Sequence, residues 1–267
     1  MRVLWGVLAL IVAQPVWAWG QTGHRVTGAI ADRYLGPKAR AGVEEILGKE
    51  GLAEAAPWPD FMRSSPDPFW QKASTPLHYV TIPDGKTYQQ VGAPPQGDAI
   101  TALKQFSAIA TDPTAPLVER QKALRFVIHI VGDLSQPLHV GNGTDRGGND
   151  VKVNFFGEAT NLHSVWDSGL VDRQQLSYRE WTDWLLAAAT PGQLRDWSSP
   201  DPLSWLADSV AERQHLYPSG SELGYAYAFE QDARMRRQLT KGGLRLAAYL
   251  NAIFDAAMKP ETVKPKP

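Results

Sequence analysis

The sequence predicts a mainly α-helical protein built as one domain, and three observations carry that expectation. Apolar residues recur every three or four positions through most of the chain. One stretch, near 151–160, alternates instead with the two-residue period of a strand. Cysteine is absent from the 267 residues, while ten Trp, eight Tyr and eight Phe offer material for a large core. Stability must therefore rest on packing or on bound metal, because neither disulfides nor thiolate-held zinc are possible.

Taken in order, the first 18 residues stand apart from the domain. Arg2 is a positive start, Val3 to Val12 is apolar apart from Gly6, and Val16-Trp17-Ala18 places small residues at −3 and −1 of a cleavage site. The apolar run is too short to span a bilayer, which predicts a signal peptide over 1–18 and an exported chain, periplasmic or secreted. Cleavage after Ala18 makes Trp19 the new amino terminus. No later stretch approaches ~20 uninterrupted apolar residues, which predicts a soluble chain without stable membrane association; a monomer is expected, although the sequence does not fix the oligomeric state. The domain runs over 19–258, and the Pro- and Lys-rich tail, 259–267, reads as disordered.

Within the domain, Val26, Ile30 and Tyr34 mark a helix over Gly23–Tyr34, and Ala39, Val43, Ile46 and Leu47 mark one over Lys38–Leu47. The same rhythm predicts helices over Ala99–Ile109, Leu117–Leu134, Tyr178–Ala189, Pro202–Leu216 and Ala226–Ala257. Val151, Val153 and Phe155 alternate with Lys152 and Asn154 before a turn at Phe156–Glu158, a small β-hairpin near 151–160. Proline-rich connections fall at 57–68, 83–95 and 137–148. The formal charge is −1, and loss of Arg2 makes it one unit more negative. Proteins that bind DNA through counterion release are basic, so any nucleic-acid contact here must be short and local, or mediated by metal.

The segment from Leu124 to Leu134 is apolar nearly all round, as in a buried central helix, yet it carries His129 and Asp133 four residues apart on one face. A buried carboxylate is costly unless paired or metal-bound. A His–Asp hydrogen bond in the core would also account for this pair alone. His163 and Asp167 repeat the spacing, which is how helical proteins build inward-facing metal sites. His139 follows Pro137, which stops the helix so that the chain can fold back. His78, Asp60 and His24 sit in similar apolar surroundings, whereas His215 lies among charged residues. Imidazoles and carboxylates without thiolate suit zinc, and these side chains are too many for one tetrahedral ion. Closely spaced zinc points to phosphoester hydrolysis. Spacing alone leaves open a mononuclear hydrolase with spare core histidines.

Several motifs carry a resemblance: WGQTGH at Trp19–His24, WPD ending at Asp60, LHYV around His78, and FVIHIVGDLSQPLHVG at Phe126–Gly141. GGNDVKV at Gly147–Val153, NLHSVWD at Asn161–Asp167 and GGLRLAAYLN at Gly242–Asn251 complete the set. In this order they resemble the secreted, single-strand-specific zinc nucleases typified by the fungal nucleases S-one and P-one, relatives of the zinc-dependent phospholipases C. The resemblance implies three zinc ions. Asp60, His78, His129 and Asp133 would hold one, and His139, His163 and Asp167 a second. The amine and carbonyl of Trp19, with His24 and a shared oxygen of Asp133, would hold the third. It implies a hydroxide activated by the metals as nucleophile, 5′-phosphorylated products, and single-stranded DNA, RNA and 3′-nucleotides as substrates. Tyr79 takes the place of an aromatic residue that stacks on a base, with plain core packing as the alternative.

The chain departs from the fungal pattern at two places. Ser168 and Gly169 follow Asp167 where those enzymes have a base-reading asparagine, and their acidic residue near Thr81 is missing. The nearest candidate to assist the nucleophile or a phosphate-binding cation is Asp84, which Pro83-Asp84-Gly85 reads more simply as a turn. A phospholipase C acting on lipid head groups is the alternative activity, and a zinc-storage protein the non-enzymatic one. NLHSVWD favours the nuclease, and a structural zinc site would be closed by four protein ligands.

Overall fold

Capping side chains and prolines determine where the helices begin. The computed structural model describes residues 19–257; the expected signal segment, 1–18, and tail, 259–267, lie outside the described residues. Helix α1 spans Gln21–Arg33, and α2, Pro37–Leu47, opens on a proline and closes at Gly48, whose φ of 65° suits glycine. Short helices α3 (Leu52–Ala55), α4 (Trp58–Met62) and α5 (Tyr88–Val91) follow, with a π-turn at Phe69–Ala73 and a 3₁₀ turn at Thr75–His78 between the last two. Much of this ground was expected to be plain connection. Pro59 and Pro76 sit in the first turns of these short helices, where a missing N–H costs nothing.

Asp98 launches α6 (Ala99–Thr111) by accepting from the Thr101 N–H at 2.9 Å, and Pro116 precedes α7 (Leu117–Asp133). A 3₁₀ turn at Pro137–His139 comes next. The chain bends at Gln136, which Pro137 forces into an extended conformation, so the proline acts on the residue before it rather than on α7 directly. Helix α8 (Leu162–Ser164) runs into a π-turn at Val165–Gly169 and then α9 (Leu170–Asp172). Ser177 and Glu180 form a capping box for α10 (Tyr178–Ala188). Helix α11 (Pro191–Trp197) has no fully buried residue and packs only Leu194 and Trp197 against the core, too little to announce a helix. Helices α12 (Pro202–Arg213) and α13 (Tyr225–Ala257) complete the domain.

The expected hairpin is present. Strands β3 (Lys152–Phe155) and β4 (Glu158–Asn161) pair antiparallel with Val153 opposite Thr160. Two features go beyond it. Strand β5 (Glu222–Leu223) adds to β3 in parallel, and β1 (Val80–Thr81) pairs in parallel with β2 (Val140–Gly141). All three have two residues, too short to show a period.

Helix α7 is buried continuously from Phe126 to Asp133. Its Leu124, Phe126 and Val127 pack with Val43 and Ile46 of α2, Leu52 of α3, and Leu103 and Phe106 of α6. A second cluster joins Trp19, Val26 and Ile30 to Trp166, Trp181 and Leu239. Helix α1 belongs to both, with Ala31 in the first cluster. It lies close against α13 at Gly243, where a Cβ would fall 2.4 Å from the Ile30 Cβ.

Candidate metal centre

The last turn of α7 places His129 and Asp133 on one face. His129 donates from Nδ1 to the Ala56 carbonyl at 2.7 Å, which turns its Nε2 inward. That Nε2 lies 3.2 Å from Asp133 Oδ2, 2.9 Å from His78 Nδ1 and 3.8 Å from Asp60 Oδ1. Asp60 comes from α4, and His78 ends the 3₁₀ turn that leads into β1. On the other side, His24 Nε2 from α1 sits 3.2 Å from Asp133 Oδ1, its ring stacked on His129 at 4.0 Å. The approach of α1 to α7 depends on Gly132, where a Cβ would lie 3.0 Å from the His24 ring. The two oxygens of Asp133 thus face different histidines.

A second group forms where β1 and β2 pair. Val80 opposite Val140 brings the preceding segments together, and His139 Nδ1 donates to the His78 carbonyl at 2.8 Å. His163 Nδ1 donates to the Gly147 carbonyl at 2.6 Å. Gly147 has φ 64°, and a Cβ there would lie 2.3 Å from the Leu138 carbonyl oxygen, so glycine alone fits. Asp167, held by the π-turn, puts Oδ2 3.1 Å from His163 Nε2 and Oδ1 3.7 Å from His139 Nε2.

These side chains are buried yet unsatisfied. His24 Nε2, Asp60 Oδ1, Asp133 Oδ1, His139 Nε2, His163 Nε2 and Asp167 Oδ2 have no hydrogen-bond partner among the described residues. Such atoms cost free energy unless something binds them. They converge in three groups that could each hold a metal ion: His24, His129 and Asp133; Asp60, His78 and His129; and His139, His163 and Asp167. In each of His129, His139 and His163 a backbone carbonyl holds Nδ1–H and frees Nε2, the outer support typical of metal-ligating histidine.

The electrostatics agree. Burial pushes the Asp60 carboxyl up to about 6 and Asp133 well above the usual carboxylate range. Burial, then the neighbouring His129, holds His24 and His78 well below ordinary histidine, while burial alone leads in lowering His129. Burial opposes charge on His139 and His163 too, but Asp133 and Asp167 outweigh it there and raise both. Asp167 is lowered, with His163 overcoming the cost of burial. Protein charges only partly offset the burial of Asp60 and Asp133, and a bound cation would favour their ionised forms. The residues present fit a nitrogen- and oxygen-ligated metal.

The S1/P1 Nuclease family profile matches residues 19–255. The chain belongs to this nuclease family. Endonuclease 4 of Arabidopsis thaliana is 29% identical over 293 residues, covering 96% of this chain and 96% of its own. Nuclease S1 of Aspergillus oryzae is 28% identical, covering 91% and 94%, and Nuclease P1 of Penicillium citrinum is 29% identical, covering 89% and 98%. The protein is a hydrolytic nuclease acting on nucleic acids, with buried His/Asp groups suited to metal. Among the described residues no helix is long and apolar enough to cross a membrane.

Around the centre of this nuclease, the remaining candidates fall in distinct places. Trp19 is fully buried, and Gly20 donates its N–H to the Asp167 carbonyl at 2.7 Å, which docks the start of the domain beside the cluster. Tyr79, next to buried His78, is 42% exposed, so core packing does not explain it. Asp84 is held away from the ligands: Arg213 donates to its Oδ1 at 2.7 Å and also to the Val140 and Ile82 carbonyls. Gly169 faces Phe155, whose ring a Cβ would meet at 3.0 Å, so a side chain at position 169 would require that ring to shift by a few tenths of an ångström. One residue escaped the sequence reading. Arg63 brings Nη1 to 3.7 Å from Asp60 Oδ1, and its three-residue spacing from Asp60 was the available signal.

Proposed function

We propose that the chain is an exported trinuclear-zinc endonuclease and 3′-nucleotidase that hydrolyses RNA and single-stranded DNA to 5′-phosphorylated products. The observation that carries this reading is the division of Asp133, with Oδ1 toward His24 and Oδ2 toward His78 and His129. One carboxylate placed this way can bridge two ions, and the His139–His163–Asp167 group holds another. Trp19 would complete the set through its amine and carbonyl. The start of the family match at Trp19 supports cleavage after Ala18.

Bound zinc would supply Lewis acidity, activating water at neutral pH and neutralising charge on phosphate and leaving oxygen. The chain's own side chains do the rest. The carbonyls of Ala56, His78 and Gly147 keep three imidazoles in the ligating tautomer. Arg63, at the edge of the cluster, is placed to bind a phosphate oxygen. Tyr79 offers an exposed ring on which any base can stack. The recessed position of the ligands favours strand ends and flexible single strands over duplex.

Metal and product analysis test the proposal together. Mature protein beginning at Trp19 should carry close to three zinc ions, lose activity and thermal stability in EDTA, and leave 5′-phosphate ends on single-stranded DNA and RNA. One zinc per chain with full activity, or 3′-phosphate ends, would refute it.

A further inference from the structure

We infer that Gln136 is a positioning residue that fixes how the Asp167 carboxylate is turned, with Oδ1 toward His139 and Oδ2 toward His163. The inference rests on the proposal that this group holds a metal ion. Gln136 is fully buried and lies midway along the chain between Asp133 and His139. Its Nε2 donates to Asp167 Oδ1 at 2.5 Å, and its Oε1 accepts from the Leu138 N–H at 2.6 Å. Both ends of the amide are therefore used. The reverse orientation would set oxygen against carboxylate and NH₂ against N–H, so the neighbours assign it uniquely. Pro137 adds to this by holding Gln136 extended, with φ −86° and ψ 115°.

The consequence lies in what remains. With Oδ1 held by Gln136 and lying 3.7 Å from His139 Nε2, the oxygen of Asp167 left without a hydrogen-bond partner among the described residues is Oδ2, 3.1 Å from His163 Nε2. The group then presents three donor atoms. Catalytic zinc keeps three protein ligands and an open position, whereas a carboxylate turned to offer both oxygens would fill that position. Gln136 keeps the carboxylate from turning and ties the π-turn at Val165–Gly169 to the segment leaving α7.

The test is Gln136→Met, which is similar in size but donates no hydrogen bond, in mature protein titrated with a chromophoric zinc chelator. Loss of such an outer partner is expected to weaken one of the three ions 10–100-fold and leave the other two at wild-type affinity. Equal affinity for every ion, or uniform weakening of all three, would overturn the positioning role, since a general packing defect has no reason to select one site. Gln136→Asn, whose amide is too short to span both partners, should give the same selective loss if the Met variant folds poorly. His163→Ala is measured alongside. If it loses one ion while both Gln136 variants keep all three, the inference about Gln136 fails alone. If His163→Ala keeps all three, the metal reading of the group fails first.

Discussion

At the scale of a residue, the chemistry proposed for this nuclease centres on Asp133. Its side chain is wholly buried, its neutral form is favoured by that burial, and its two oxygens face separate histidines. Asn would preserve the shape while removing the charge that two cations would share. Asp133→Asn is expected to lose at least ~100-fold in hydrolysis of single-stranded DNA, the scale on which metal-supporting and charge-stabilising groups act. His215→Ala, at an exposed position, should stay near wild type. Near-normal turnover by Asp133→Asn in saturating zinc would remove the bridging role. Tyr79 is tested by binding. Its replacement by Ala should weaken nucleotide binding by ~1–3 kcal/mol for every base, as for a lost stacking contact. A loss confined to one base would mean that its edge is read by another side chain.

Among the elements, α12 and α13 are joined by a charged cluster that backs the site. Asp208 accepts from Lys241 at 2.6 Å and Arg245 at 2.7 Å, and Arg245 also reaches Ser135 just past α7. Burial raises the Asp208 carboxyl, but Arg245 and Lys241 outweigh it and hold it below its ordinary value of 3.8. A depressed folded value means that the stabilisation is complete above that ordinary value and is lost as pH falls through the lower folded one. Asp208→Asn should therefore be less stable than wild type at pH 7 and pH 5, with the gap closing in acid below about pH 4. Urea unfolding of metal-free protein at these pH values measures it. A gap that does not change with pH would place the stabilisation in packing rather than in charge.

On the proposed reading the whole molecule links export, folding and metal binding. With no cysteine, the folded chain has no disulfide, so its stability rests on packing and, under the proposal, on the ions it would hold. Trp19 anchors the start of the domain in the second core cluster, and Gly20 bonds to the Asp167 carbonyl. If the Trp19 amine is a ligand, it must be unprotonated and free, and the ordinary α-amino pKa of ~7.7–8.0 sets the competition with protons. Protein made with an added N-terminal Gly-Ser should fold but bind about one zinc fewer and cut single-stranded DNA far more slowly than protein beginning at Trp19. Equal zinc and equal activity in both preparations would exclude Trp19 as a ligand.

Much of this was legible in the sequence, and the reason is local spacing. The long helices declared themselves because each buries one stripe, and the His129–Asp133 and His163–Asp167 pairs because four residues span one helical turn. The side chains of the three groups that could hold metal were likewise recognisable, since only a few residue types bind metal and these stood in apolar surroundings. The sequence by itself thus determined the fold class, the family and the side chains that these groups bring together. It was silent on α11, which packs only two partly buried side chains, and on β1, β2 and β5, whose partners lie far away in the chain. Nor did it reveal Gln136, or the Ala56, His78 and Gly147 carbonyls, because every residue carries a carbonyl and a buried amide looks like any other. Which oxygen of Asp133 meets which histidine was decided only by the tertiary structure, because it depends on how closely α1, packed on α13 at Gly243, can approach α7 at Gly132.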